Sequence, residues 1–128
     1  MDINTITGII IAESIKIHRD IGPGLLESVY EELLHYRLTK RGLKVKRQQP
    51  VALIYEDVKM NIDLRYDLMV EGKVLVELKS QETVPPVAYK IFKTYLRLTH
   101  ISIGLLINFN VEVLREGIKR IANNYVEE

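Results

Sequence analysis

Cysteine is missing from this 128-residue chain. Its absence excludes disulfides, thiolate nucleophiles and cysteine-based zinc sites, and it is neutral on compartment. Long apolar runs are missing too. No stretch approaches the roughly 20 apolar residues that a membrane span needs. Near the start, Glu13, Lys16, His18 and Arg19 interrupt what would be the apolar core of a secretory signal, so a cytoplasmic protein is expected. An excess of one charge is also missing. The formal net charge is +1, so any nucleic-acid partner must be met by a local patch rather than by a global field. Ser14, Ser28 and Ser80 have no partnering His–Asp pattern, which leaves serine hydrolase chemistry unsupported. His18, His35 and His100 share no metal-ligand spacing and read as surface or capping groups. Gly22-Pro23-Gly24 breaks a helix and is no phosphate loop.

What remains is an ordinary globular balance, 47% hydrophobic and 27% charged, with no repeat, low-complexity tract or linker. One domain over residues 1–128 is expected. At this length a folded chain buries roughly 65–70% of its extended surface. Apolar residues at helical spacing predict a helix over 3–19, capped by Asn4 or Thr5, and a second from about Leu25 to Lys40. Leu26, Val29, Tyr30, Leu33, Leu34 and Leu38 form the inward side of that second helix, and Gly42 suits its C-terminal cap. The period then changes to two. Strands are predicted over Val45–Ile54 (interrupted at Pro50), Met60–Val70 and Lys73–Ser80, with turns at Glu56-Asp57 and Glu71-Gly72. Val84-Pro85-Pro86 opens a helix to about Thr99. Ile101–Phe109 reads as a buried strand, and Glu112–Asn123 as a closing amphipathic helix. The order α-α-β-β-β-α-β-α describes a mixed α/β domain with one central sheet.

The segment Val74-Leu75-Val76-Glu77-Leu78-Lys79 carries the chemistry. Glu77 and Lys79 are two apart on a strand and share a face. An acid and an amine on a mostly apolar strand cost several kcal/mol to bury unless they are paired or bind an ion. On the preceding strand, Arg65, Asp67 and Met69 alternate with Leu64, Tyr66, Leu68 and Val70. A three-residue Val70-Glu71-Gly72 loop would pair Met69 with Lys73 and Asp67 with Leu75, which keeps the apolar faces together. Asp67 then lies diagonal to Glu77. Two carboxylates suit Mg²⁺, a hard ion that polarises phosphoryl oxygens and activates bound water, and a nearby ammonium orients that water or offsets charge. The plainer alternative is a cross-strand ion pair of Glu77 and Lys79 with Asp67 or Arg65.

Asp67…Glu77-Leu78-Lys79 in this element order resembles the PD-(D/E)xK nuclease superfamily. More narrowly, Gly24-Leu25-Leu26-Glu27-Ser28-Val29-Tyr30 is similar to the signature of the bacterial and archaeal GxxExxY proteins. Residues 17–24, the Val70-Glu71-Gly72-Lys73 hairpin and the segment Gly104–Phe109 also match that group. The resemblance covers nearly the whole chain. It implies a restriction-endonuclease-like core, a central mixed sheet flanked by helices, and phosphodiester hydrolysis dependent on Mg²⁺ or Mn²⁺. By the resemblance, Asp67 and Glu77 are the catalytic metal ligands, Lys79 is the catalytic lysine and the Leu78 carbonyl completes the shell. Glu27 reaches the metal or its water; alternatively it is a first-turn acid that favours the helix dipole. Tyr30 packs, or hydrogen-bonds the site carboxylates. Ile91 stands where the family pattern Q-x-x-x-Y-L-R-L carries glutamine, so a polar contact to lysine, water or substrate is lost unless Tyr89, Lys90 or Lys93 supplies it.

Lys40, Arg41, Lys44, Lys46 and Arg47 make a basic run without acidic neighbours in sequence. Lys44, Lys46 and Arg47, with Lys90 and Lys93 on the later helix, are the candidate phosphate-tracking residues. The alternative for the run is a solvated helix end favouring the C-terminal dipole. The expected partner is a nucleic acid, DNA before RNA. The rival expectation is a catalytically inactive nuclease-fold module that binds nucleic acid or protein, and a homodimer through the Pro50 edge or the terminal helices is a further alternative.

Overall fold

The computed structural model describes residues 1–124. Two helices come first, α1 (Ile3–Ile21) and α2 (Glu27–Lys40). Asp2, rather than Asn4 or Thr5, caps α1: its side chain accepts the Thr5 backbone N–H at 2.7 Å, which satisfies one of the orphan donors of the first turn. At the far end of α2, Leu43 and Gly42 donate back to Leu38 and Thr39. Gly42 has φ +87°, so the predicted glycine cap is present.

The strands are shorter than their period implied. They are β1 (Val45–Arg47), β2 (Ile54–Tyr55), β3 (Val58–Lys59), β4 (Leu68–Val70), β5 (Val74–Lys79), β6 (Ile103–Asn108) and β7 (Ile118–Ala122), with α3 (Pro86–Thr99) between β5 and β6. Five of them form the central sheet in the order β1-β4-β5-β6-β7, while β2 and β3 form a separate hairpin. β5 and β6 are parallel and the other neighbours antiparallel. The architecture is thus a mixed α/β fold with a central mixed sheet, as the resemblance implied. Pro50 makes only an isolated bridge with Arg65, consistent with its missing N–H.

One element is of the wrong type. Glu112–Asn123 is not a helix: a 3₁₀ turn at Leu114–Gly117 leads into β7, which pairs antiparallel with β6. Leu114, Ile118 and Ile121 satisfy a helical spacing, but β6 is buried and would otherwise present an unpaired edge. Closing that edge outweighs the local pattern.

The two faces of the sheet carry different layers. Leu68, Val70, Val74, Val76, Leu78, Leu105 and Ile107 pack against Ile6, Ile10 and Ile17 of α1 and Tyr30, Leu34 and Leu38 of α2. On the other face Leu75 and Leu106 meet Phe92 and Leu96 of α3, together with Tyr66 and Val51. Gly104 allows this second contact, because a Cβ there would lie 2.5 Å from the Phe92 ring. Leu26 and Val29, predicted inward, are exposed: Leu26 precedes the helix, and the buried stripe of α2 runs through Tyr30, Glu31, Leu34 and Leu38 instead. His18 is not a surface group: it is buried, bonds the Val111 carbonyl at 2.7 Å and lies beside Phe109. His100 is exposed and caps α3 in the left-handed conformation. Among the described residues, no helix is long and apolar enough to cross a membrane.

Candidate active site

The site is set by the β4–β5 hairpin. Its register is Leu68↔Val76, Met69↔Leu75 and Val70↔Val74, two residues away from the pairing the apolar pattern favoured. The loop is Glu71-Gly72-Lys73. Glu71 and Gly72 both have positive φ, 55° and 65°, and Lys73 donates to the Val70 carbonyl at 3.0 Å. The side-chain parity is unchanged by a two-residue shift, so the apolar faces still agree. What changes is the partner: one step further along this register, Asp67 stands opposite Glu77 rather than diagonal to it.

Asp67 occupies a bend just before β4. Its Oδ2 accepts the Leu78 N–H at 2.8 Å, and its Oδ1 accepts the Gln48 side-chain amide at 3.1 Å. In an extended strand the N–H and C=O of one residue share an edge. Leu78 therefore turns its carbonyl toward the same corner that holds Asp67. Glu77 lies close enough to hydrogen-bond the Asp67 carboxylate. Burial, that hydrogen bond and the charges of Asp67 and Glu27 push the Glu77 carboxyl up to about 9, with Lys79 pulling the other way. This is the physics of two carboxylates that cannot both ionise cheaply in a desolvated corner.

Lys79 follows Glu77 on the same face, half-buried. Glu27 is exposed at the first turn of α2. It is brought to this end of the sheet by Ser80, whose hydroxyl donates to the Leu25 carbonyl. Tyr30 does not contact the carboxylates. Its hydroxyl donates to the Gly22 carbonyl at 2.6 Å and accepts the Leu25 N–H at 3.2 Å, and its ring stacks on Phe109 at 4.3 Å. Tyr30 thus fixes the Gly22–Leu25 loop from which Glu27 starts. Ile91 is exposed on α3. Tyr95, one turn later, is half-buried; burial first, then the charges of Glu77 and Asp67, push its phenol up. Tyr95 stands at the tyrosine of the Q-x-x-x-Y-L-R-L pattern, but that pattern does not show it near the carboxylates; Gln48 carries no signal in the chain, because its reach depends on a left-handed backbone at φ 48°.

The cationic candidates divide. Cross-strand partners share a face, and Lys46 pairs with Met69, on the Asp67–Glu77 side. Lys44, Lys46, Lys90 and Lys93 are exposed. Arg47 belongs to the opposite side and is bound to carboxylates, Glu31 at 3.0 Å and Glu32 at 2.6 Å. Arg41 is likewise paired with Glu13, so the basic run has acidic neighbours in space that it lacks in sequence.

Among the described residues, no group of three or more His, Cys, Asp or Glu side chains is arranged to hold a metal ion. Glu27 acts on Glu77 through its charge but does not close a three-carboxylate cluster. The donor set is therefore two facing carboxylates and a backbone carbonyl. This set fits a hard divalent ion that keeps several waters, and a cation there would offset the burial cost and the repulsion that together keep Glu77 protonated. Compared with known families, residues 4–121 match the model of the PD-(D/E)XK nuclease superfamily. No curated protein and no solved structure matches the chain.

Proposed function

Because the chain belongs to the PD-(D/E)XK nuclease superfamily, whose family model spans residues 4–121, we propose that it is a Mg²⁺-dependent nuclease cutting phosphodiester bonds in DNA. One observation carries the reading: the Asp67 and Glu77 carboxyls share a desolvated corner of the hairpin, with Lys79 two residues further on the same face. A like-charged pair there has little structural use and considerable cost. Bound at this corner, a divalent ion supplies Lewis-acid polarisation of the phosphoryl group and a more acidic water. Asp67 and Glu77 hold it, with the Leu78 carbonyl. Lys79 orients the attacking water and offsets charge as it grows on the phosphoryl oxygens. Tyr95 and the α3 layer keep bulk water from the inner side of the pair. Glu27 adds negative charge at the open side. Lys46, Lys90 and Lys93 meet the phosphate backbone on approach.

The test is cleavage of plasmid and branched DNA with Mg²⁺ or Mn²⁺. Asp67→Ala and Lys79→Ala should each lose about 100-fold or more in rate. Unchanged cleavage by both variants would overturn the assignment. Ile91 favours a second reading, a non-catalytic nucleic-acid-binding or protein-interaction module on the same scaffold. That reading requires that calorimetry detect no Mn²⁺ binding at the Asp67–Glu77 corner.

A further inference from the structure

We propose that Gln48 is a positioning residue for the metal-holding carboxylate Asp67, and that it ties this carboxylate to helix α2 through Glu31. The inference rests on the reading of Asp67 and Glu77 as a divalent-metal site. Gln48 follows β1 directly and is bonded to Asp67 twice. Its backbone N–H donates to the Asp67 carbonyl at 3.0 Å, and its side-chain Nε2 donates to Asp67 Oδ1 at 3.1 Å. The same Nε2 donates to Glu31 Oε1 at 2.7 Å. A primary amide nitrogen has two hydrogens, and here each serves a different carboxylate. The Glu31 carboxylate is itself fixed, because its other oxygen accepts from Arg47 Nε and Nη2 at 3.2 and 3.0 Å. The Gln48 carbonyl accepts from Arg65 Nη1 at 2.9 Å.

This accumulation of bonds holds a glutamine at φ 48°, a region that costs a non-glycine residue of order 1 kcal/mol and persists only where its surroundings demand it. With Leu78 N–H on one oxygen and the Gln48 amide on the other, the Asp67 carboxylate is fixed in rotation, and its remaining lone pairs are free to coordinate. Carboxylate ligands held in this way bind metal more tightly than unconstrained ones. Loss of such an outer partner typically weakens metal affinity by about 10- to 100-fold.

The experiment is calorimetric titration with Mn²⁺ alone on wild type, Gln48→Gly and Asp67→Asn, with thermal unfolding of each in EDTA. Glycine suits the left-handed backbone, so Gln48→Gly removes the amide while relieving strain. The expected result is Mn²⁺ binding weakened about 10- to 100-fold in a variant that still unfolds cooperatively in EDTA, the relieved strain offsetting part of the bond lost to Glu31. Wild-type affinity in Gln48→Gly would overturn the proposal while leaving the metal site standing. Failure of wild type to bind Mn²⁺, or equal binding by Asp67→Asn, would remove the site reading and this proposal with it. Should Gln48→Gly not fold, Gln48→Met keeps the volume without the amide and carries the same two outcomes.

Discussion

Glu13 and Glu77 are both acids inside this protein, and their surroundings are opposite. Glu13, buried on α1, receives Arg37 at 2.9 Å and Arg41 at 3.3 Å. Glu31, buried on α2, receives Arg47 and Gln48. On the helical face of the sheet, each buried carboxylate has its own cation. Glu77, on the α3 face, has a second carboxylate for a neighbour and a charged glutamate near by, with the charge of Lys79 acting the other way. Burying a charge is tolerable when it is paired. The helical face obeys that rule as a structural element must. Among the described residues, the α3 face departs from it at the Asp67–Glu77 corner, a cost that the proposed metal site would explain.

Neutralising each acid in turn sharpens the contrast. The largest effect should be on metal binding: Glu77→Gln should weaken Mn²⁺ affinity by about 100-fold, while Glu13→Gln leaves it unchanged, as calorimetry would read. Equal affinities in the two variants would dissolve the distinction. The stability effects should have opposite signs. Glu13→Ala leaves two arginines without their partner and should destabilise by about 1–3 kcal/mol in urea unfolding. Glu77→Gln, measured in EDTA at pH 8, should stabilise.

The pH dependence follows from the same pair. The folded Glu77 carboxyl titrates near 9 against an ordinary 4.5. Between those values the folded state keeps a proton that the unfolded chain has released. Metal-free wild type is therefore most stable below about pH 4.5 as far as this group is concerned, and loses stability as pH rises toward 9, by no more than ~1.4 kcal/mol per pH unit for one proton. Urea unfolding in EDTA across that window checks the slope, and Glu77→Gln should abolish this contribution. A flat wild-type profile would mean that the corner is better solvated than its geometry implies. The smallest effect concerns Ile91. It is exposed on α3, so Ile91→Gln should change stability by less than about 0.5 kcal/mol. If the missing glutamine limits turnover, the same variant should raise Mg²⁺-dependent cleavage above wild type.

Much of this was legible in the chain. The helices α1, α2 and α3 and the strands β5 and β6 follow from period and breakers, because each buries one long face or a continuous apolar run. The sharing of a face by Asp67, Glu77 and Lys79 also follows, since it depends on parity alone, and parity survives a two-residue error in register. The register itself did not follow. It is set by two consecutive left-handed residues, Glu71 and Gly72, and nothing in the side chain of Glu71 announces that conformation. β7 was hidden because Leu114, Ile118 and Ile121 keep the helical spacing, while as a strand Ile118 and Ile121 serve opposite faces of the sheet, and the deciding factor is the bare edge of β6. Gln48 was hidden because residues 48–67 run largely irregularly, where no periodicity fixes which side chains meet.

The parallel pairing of β5 with β6 has a kinetic consequence. The hairpin bearing Asp67 and Glu77 closes a short loop and can zip locally, whereas β6 can join β5 only after the chain has travelled through α3. Non-local pairings of this kind form late and slowly. The two acids therefore meet while still wet and lose their water only as the crossover docks. Their mutual repulsion is loaded onto that final step, so refolding in EDTA should slow as pH rises, and Glu77→Gln should refold at a rate nearly independent of pH.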